Sequence, residues 1–555
     1  MLIKNTNVVD VEKNKILAGY DVVVIDGKII SVDKDRQYKL PPGTQIIDGM
    51  GKWLIPGLAD AHIHFFQSGG LFARPDVIDL RKYQPYSKEI KWVHDHMEDF
   101  LRLYVSAGIT SVIDVGSTFS FLKQRDSFAN KFYSPVISMT GPLLTTYVPE
   151  EYKDLGIDAP FIEMKSEENT RQAVKDQQAA GADFIKIWYI VEDNDTERGA
   201  KKNLTLVTAA IDEAHKNNLR VAVHATQRIT AQLAVEAGAD FLVHSVDDEV
   251  VGEDYLQLLK KKNVVISPTL VVVENYGKVL GDQFTFTMDD LKLSHPVPAA
   301  SIINYPWPDT MLAKRIINGM GSFARITRNR LRDSIEQLNL KKMLKAGITI
   351  ATGTDAGNIG TMHVSSYMYE VKAMQAAGFN AWQLLQASTI NVAKAVGKQN
   401  EWGSITKGKI ANMVLLNADP TVDPANWRMI DWVINKGIAH KPDSVLSHTP
   451  EMLAQQQLNA YNAHDLEAFL VSYSEDVQVF NFPDKARMNG KEEMRKQYSF
   501  LKNSPKLFCN LLNRITHGNM VIDHEEILGV KGAPFYAIAI YIIEKGKISR
   551  VYFKQ

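Results

Sequence analysis

Between residues 57 and 402, short apolar runs alternate with amphipathic stretches in a strand, helix, strand rhythm. The apolar runs fall at 58–65 (LADAHIHF), 111–116 (SVIDVG), 136–141 (VISMTG) and 182–189 (ADFIKIWY). Four more follow at 220–225 (RVAVHA), 241–246 (FLVHSV), 264–270 (VVISPTL) and 348–355 (ITIATGTD). Stretches such as 205–218 and 229–238 carry helical spacing and stop at Asn or Gly. Eight buried strands alternating with helices predict an α/β fold of the (β/α)₈ barrel type. Residues 271–347 are too long for a simple connection and are expected to hold helices and a lid over the site.

The flanks have a different texture. Residues 1–56 read as small strands and turns, with Ile25-Asp26-Gly27-Lys28 as a hairpin signal. Similar material returns at 403–440, so the two ends are expected to build one composite β-sandwich beside the barrel. From 450 to 555 helical patches come first, with a break near Asn462 and His464, and four strand-like runs close the chain. That order predicts a separate α+β module.

Composition narrows the class. Of 555 residues, 45% are hydrophobic and 23% charged, which excludes a disordered chain. A net charge of −1 gives no reason to expect nucleic acid or an anionic membrane as partner. The longest apolar run, Phe535 to Ile543, falls well short of the ~20 residues of a membrane span. The start lacks the apolar core of a secretion signal, so a cytoplasmic location is the default expectation, with a periplasmic or secreted one if a leader has been removed. The lone Cys509 can form neither an internal disulfide nor a thiolate metal cluster.

Candidate chemistry gathers at strand ends. His62 and His64 lie two apart on the first strand, so period-two geometry points both to one face. Later strands end at Lys186, His224, His244 and Asp355, all at the C-terminal mouth where barrel enzymes carry their chemistry. Converging imidazoles and a carboxylate predict a metal site. Nitrogen and oxygen donors without sulfur suit Zn²⁺ first, and also admit Mn²⁺, Co²⁺ or Fe²⁺. A protonated lysine cannot ligate a cation, so Lys186 either pairs with a carboxylate or is chemically altered.

The segments WLIPGLADAHIH, GITSVIDVG, DFIKIW, VAVHA, FLVHS and ATGTDAG together resemble the amidohydrolase superfamily, over roughly residues 1–440. Similarity is strongest to its prolidase- and carboxypeptidase-like, binuclear branch, with the organisation of imidazolonepropionase. The resemblance implies two divalent ions and carbon dioxide taken up as N6-carboxylysine at Lys186. One ion would be held by His62, His64, Asp355 and the carbamate, the other by His224, His244 and the same carbamate. A hydroxide bridging the ions would attack the amide or peptide-like carbon–nitrogen bond of a small substrate, such as a dipeptide or N-acyl amino acid. Asp355 would be general base and then acid.

Alternatives are a deaminase or cyclic-amide hydrolase, or a non-catalytic protein that binds a small ligand. Related deaminases place a Glu three residues after the fifth-strand histidine, where this chain has Gln227. His363, Tyr147, Trp188, Tyr189 and Arg74 are expected substrate contacts, His363 by resemblance to a loop that touches substrate in relatives. The C-terminal module, including NAHDLEAFLVSYSEDVQVF, resembles the SnoaL-like branch of the nuclear transport factor 2 fold, a cone of sheet and helices. That resemblance implies a role in homo-oligomer assembly or accessory ligand binding.

Overall fold

The computed structural model describes residues 1–34, 38, 41–303, 307–530 and 532–554. The first barrel strand, Leu58–Ile63, is buried throughout and runs parallel to Ile109–Asp114, which pairs with Val136–Met139. The chain breaks at Gly141-Pro142 and resumes as Leu143–Thr145, beside Ile185–Trp188. Proline has no amide hydrogen to give to a ladder, and the third strand is accordingly two short pieces rather than the single run expected at 136–141. Val221–His224, Phe241–Val243, Val265–Ser267 and Thr349–Ile350 then follow, each parallel to the last.

Backbone hydrogen bonds join the two parallel sheets at both seams. Asp183 N donates to Met139 O (2.9 Å) at one. At the other, Ala61 N donates to Thr352 O (2.8 Å) and Asp355 N to His62 O (2.7 Å). The ring closes there, as the alternation of strands and helices predicted. Period-two geometry sorts the side chains: Val221 and Val223 join the large core under the outer helices, while Ala222 joins an inner cluster with Phe184, Phe241 and Val265. By the same parity Lys186, two after Phe184, and His224, two after Ala222, face the barrel axis.

Both flanks meet in one eight-stranded sheet. Trp53–Pro56 lies between Leu2–Asp10 and Met413–Leu416 and pairs with both. Ile3, Val22, Leu54, Met413 and Leu415 form its core. The hairpin at Asp26-Gly27 has positive φ at both residues (48° and 75°), as its two-residue turn requires. The C-terminal module is a six-stranded sheet with the helices Pro450–Asn462 and Leu466–Val471 packed on it. Its strands Tyr473–Asn481 and Lys485–Asn489 add to the four runs read from the sequence.

The long stretch before the eighth strand is helical: Val271–Leu280, Met288–Leu293, Pro296–Ile303, Thr310–Met320 and Phe323–Ala346. It faces two ways. Val272, Tyr276 and Met320 line a cavity at the barrel mouth. On the other side Leu291 is part of the C-terminal module's core, and Asn459 Nδ2 donates to Pro296 O (2.7 Å). No helix among the described residues is long and apolar enough to cross a membrane.

Candidate active site

The cavity at the barrel mouth holds about 360 Å³, and the six residues expected as metal ligands all line it. Asp355 Oδ1 lies 3.1 Å from both His62 Nε2 and His64 Nε2, and those two nitrogens are 3.3 Å apart. His244 sits against His62 and His224, with ring centroids at 4.9 and 4.3 Å. Ligand atoms of His62, His244 and Asp355 lie within 4.8 Å of one another.

The protonation pattern can be read from the partners. His64 Nδ1 is 2.8 Å from Gly116 O, and a carbonyl only accepts, so Nδ1 carries the hydrogen. The neutral ring then aims its Nε2 lone pair at a carboxylate oxygen. Two acceptors 3.1 Å apart repel unless a cation lies between them, and a divalent metal fits that donor set. Burial drives His62 down to about 4, against the pull of Asp355. Burial first, then Lys186 for His224 and His224 for His244, hold these two imidazoles well below the usual range. Neutral rings with free lone pairs result, which is the ligating form. Asp355 stays ionised despite burial, because its surroundings, His62 foremost, hold it well below the usual carboxylate range.

Supporting contacts fix these groups, and sequence reasoning had not found them. Asp60 accepts from Thr354 Oγ1 (2.7 Å), Thr354 N (3.0 Å) and His62 N (3.1 Å), tying the first strand to the eighth beside both ligand positions. Burial raises the Asp60 carboxyl to about 7. Asp114 accepts from Phe65 N and Gly116 N, which seats the carbonyl that orients His64. Asn358 Nδ2 donates to Asp355 Oδ1 (2.7 Å). The aspartate in DAHIH was visible as a polar residue in a buried strand, the one signal available for it. Lys186 is 1% exposed, burial lowers it to about 7, and it has no ion-pair partner within 4 Å among the described residues.

The expected substrate contacts divide. Trp188 lines the cavity and leans on Phe161, with centroids 5.0 Å apart. Arg74 also lines it, but is committed to Asp76 (2.6 and 2.8 Å) and to Asn358. His363, Tyr147 and Tyr189 lie outside the lining of this cavity. His363 is buried with both ring nitrogens used, by Tyr104 Oη and Gln67 O (2.9 Å each). Tyr189 is buried and its hydroxyl donates to Ala200 O, while Tyr147 is 37% exposed to solvent.

The amidohydrolase family profile matches residues 53–439, and the chain belongs to that family. A SnoaL-like domain profile matches residues 454–551. Among curated relatives, a 5-methylthioadenosine/S-adenosylhomocysteine deaminase of Acetivibrio thermocellus is 24% identical over 433 residues, covering 76% of this chain and 86% of that protein. An adenine deaminase of Paracoccus denitrificans is 38% identical, but over 64 residues that span 12% of this chain and 11% of that protein. In fold, the chain is similar to phenylurea hydrolase B (TM-score 0.61, 18% identity, 81% of this chain and 99% of that one). It is also similar to a Xaa-Pro dipeptidase (TM-score 0.58, 20% identity, 79% and 99%) and to A. niger ochratoxinase (TM-score 0.58, 18% identity, 79% and 94%).

Proposed function

We propose that this protein is a metal-dependent hydrolase that cleaves a carbon–nitrogen bond of a small amide, of the dipeptide or N-acyl amino acid kind. The observation that carries the reading is the facing pair of acceptors, His64 Nε2 and Asp355 Oδ1, closed by His62. His62, His64 and Asp355 would hold one divalent ion and His224 with His244 a second, with Zn²⁺ the first candidate. Bound ions of this kind supply an activated water at neutral pH and polarise a carbonyl. Lys186, buried, unpaired and near pKa 7, carries enough neutral amine to take up carbon dioxide, and as a carbamate it would join the two positions. Asp355 engages His62, His64 and Asn358 through Oδ1, so its second oxygen is the one available to accept a proton and return it to the leaving nitrogen. Trp188 and Phe161 give the cavity an aromatic wall that shields the reacting bond from bulk water.

Metal analysis and an amine-release assay test this together. About two ions per chain, loss of turnover on chelation and its return with Zn²⁺, Mn²⁺ or Co²⁺ are expected. Lys186→Ala should lose metal and regain it in part with added short-chain carboxylic acids. No metal uptake after supplementation, or an Asp355→Ala variant that turns over like the native protein, refutes the reading.

Deamination is the second reading, favoured by the deaminases among the matched relatives. Against it stands Gln227, a neutral amide that begins the helix Arg228–Ala237 where related deaminases carry a proton-shuttling Glu. Ammonia release from adenine or 5-methylthioadenosine, with none of the amides cleaved, would favour deamination.

A further inference from the structure

The cavity at the barrel mouth carries two arginines in very different states. Arg74 is neutralised in place: Asp76 takes two of its hydrogen bonds, and Tyr276 and Asn358 take the rest. Arg325 comes from the first turn of the insert's last helix, Phe323–Ala346, and lines the same cavity. Its guanidinium has no hydrogen-bond or ion-pair partner among the described residues, and its Nε is shut off from water with none. The residue as a whole is only partly buried, so the charge is open to an incoming anion while the Nε still lacks an acceptor. Burial first, then Arg328 and Arg332, lower its pKa, yet a guanidinium stays charged at neutral pH. Five N–H groups in a rigid fork match the paired oxygens of a carboxylate or a phosphate, and of the two a carboxylate is the anion that a small amide substrate carries.

We infer that Arg325 anchors a carboxylate of the substrate, so that the amide cleaved at the histidine–aspartate cluster is one that carries a free acid. This rests on the hydrolase reading and adds to it the residue that reads the acid. The aromatic pair Phe161–Trp188 lines the same cavity and suits an aromatic or branched acyl group or side chain. A cavity of about 360 Å³ accommodates a molecule of roughly the size of a dipeptide or an N-aroyl amino acid. Arg325 lies on an insert between the seventh and eighth strands, so the preference for an acid is set by a segment that holds none of the proposed metal ligands.

Matched probes isolate the anchor. N-benzenesulfonylglycine and its carboxamide differ only in the acid, and neither can be hydrolysed as an amide at the sulfonyl group. Titration calorimetry on the zinc-loaded full chain should show the acid binding at least tenfold tighter than the carboxamide. Arg325→Gln should bring that ratio close to one by weakening the acid alone, and Arg325→Lys should restore part of it. A native ratio of one or below, no detectable binding of the acid, or the same ratio in Arg325→Gln overturns the inference. Turnover of N-benzoylglycine is read separately. Its absence alongside an Arg325-dependent ratio removes the hydrolase reading and leaves the anchor, whereas turnover with an Arg325-independent ratio does the reverse.

Discussion

Asp60 is the residue on which the first and eighth strands agree. Replacing it with Ala strands three buried donors, two of them on Thr354 and one on His62, and should cost about 2–3 kcal/mol of stability. Urea denaturation reads that loss, and metal content should fall with it, because His62 and Asp355 lose their common brace. Glu525, remote from the histidines, offers a pH test. Burial, with Asp523 adding to it, pushes this carboxyl up to about 7 against the hydrogen bond from Tyr541. A folded-state pKa above the unfolded value of about 4.3 means that the folded chain keeps a proton the unfolded one has released. Its contribution is therefore full below about pH 4 and is lost as the pH rises towards 7. Denaturation followed in the C-terminal module should show a decline of about 3 kcal/mol over that window, and Glu525→Gln should flatten it. An unchanged slope in the variant excludes Glu525 as its source.

At the scale of elements, two glycines make opposite predictions. A Cβ on Gly353 would lie 2.2 Å from Ser267 Oγ and 2.9 Å from His62 Cβ, so Gly353→Ala must push the eighth strand off its neighbours. Overpacking of this kind costs about 2–3 kcal/mol, and a lower melting temperature with reduced metal occupancy should follow. Gly319 lies inside the helix Thr310–Met320 with nothing within 4 Å of its Cβ position, so Gly319→Ala should stabilise by up to about 1 kcal/mol. The elements also show what a sequence can and cannot carry. His62, His64, Lys186, His224, His244 and Asp355 were legible because strand periodicity and the barrel's polarity put strand-end residues at one mouth, and all six line the cavity. The burial of His363 was not legible, because its partners, Tyr104 and Gln67, are 259 and 296 residues away in the chain. The break at Gly141-Pro142 was written in the residues themselves. Arg325 was not, since its place depends on how five helices stack over a barrel that they do not resemble in pattern.

At the scale of the whole molecule, the helical insert is shared property. One side walls the cavity and the other seats Leu291 in the C-terminal core, with Gln456 and Asn459 donating to its backbone. Removing residues 450–555 bares that apolar side and loosens the wall. Such a truncated chain should keep its metal but show a KM raised about tenfold, the equivalent of about 1.4 kcal/mol. A KM equal to the full chain's would mean that the insert holds its form unaided.

The small flanking sheet has a consequence for how the protein is made. Residues 53–56 take one neighbour from the chain's beginning and the other from residues 413–416. A ribosome working from the amino end therefore releases the first half of this sheet with a bare, apolar border and must translate the entire barrel before the border is sealed. Through that interval nascent chains on one polysome can join edge to edge, which makes this border the place where a chaperone would earn its keep.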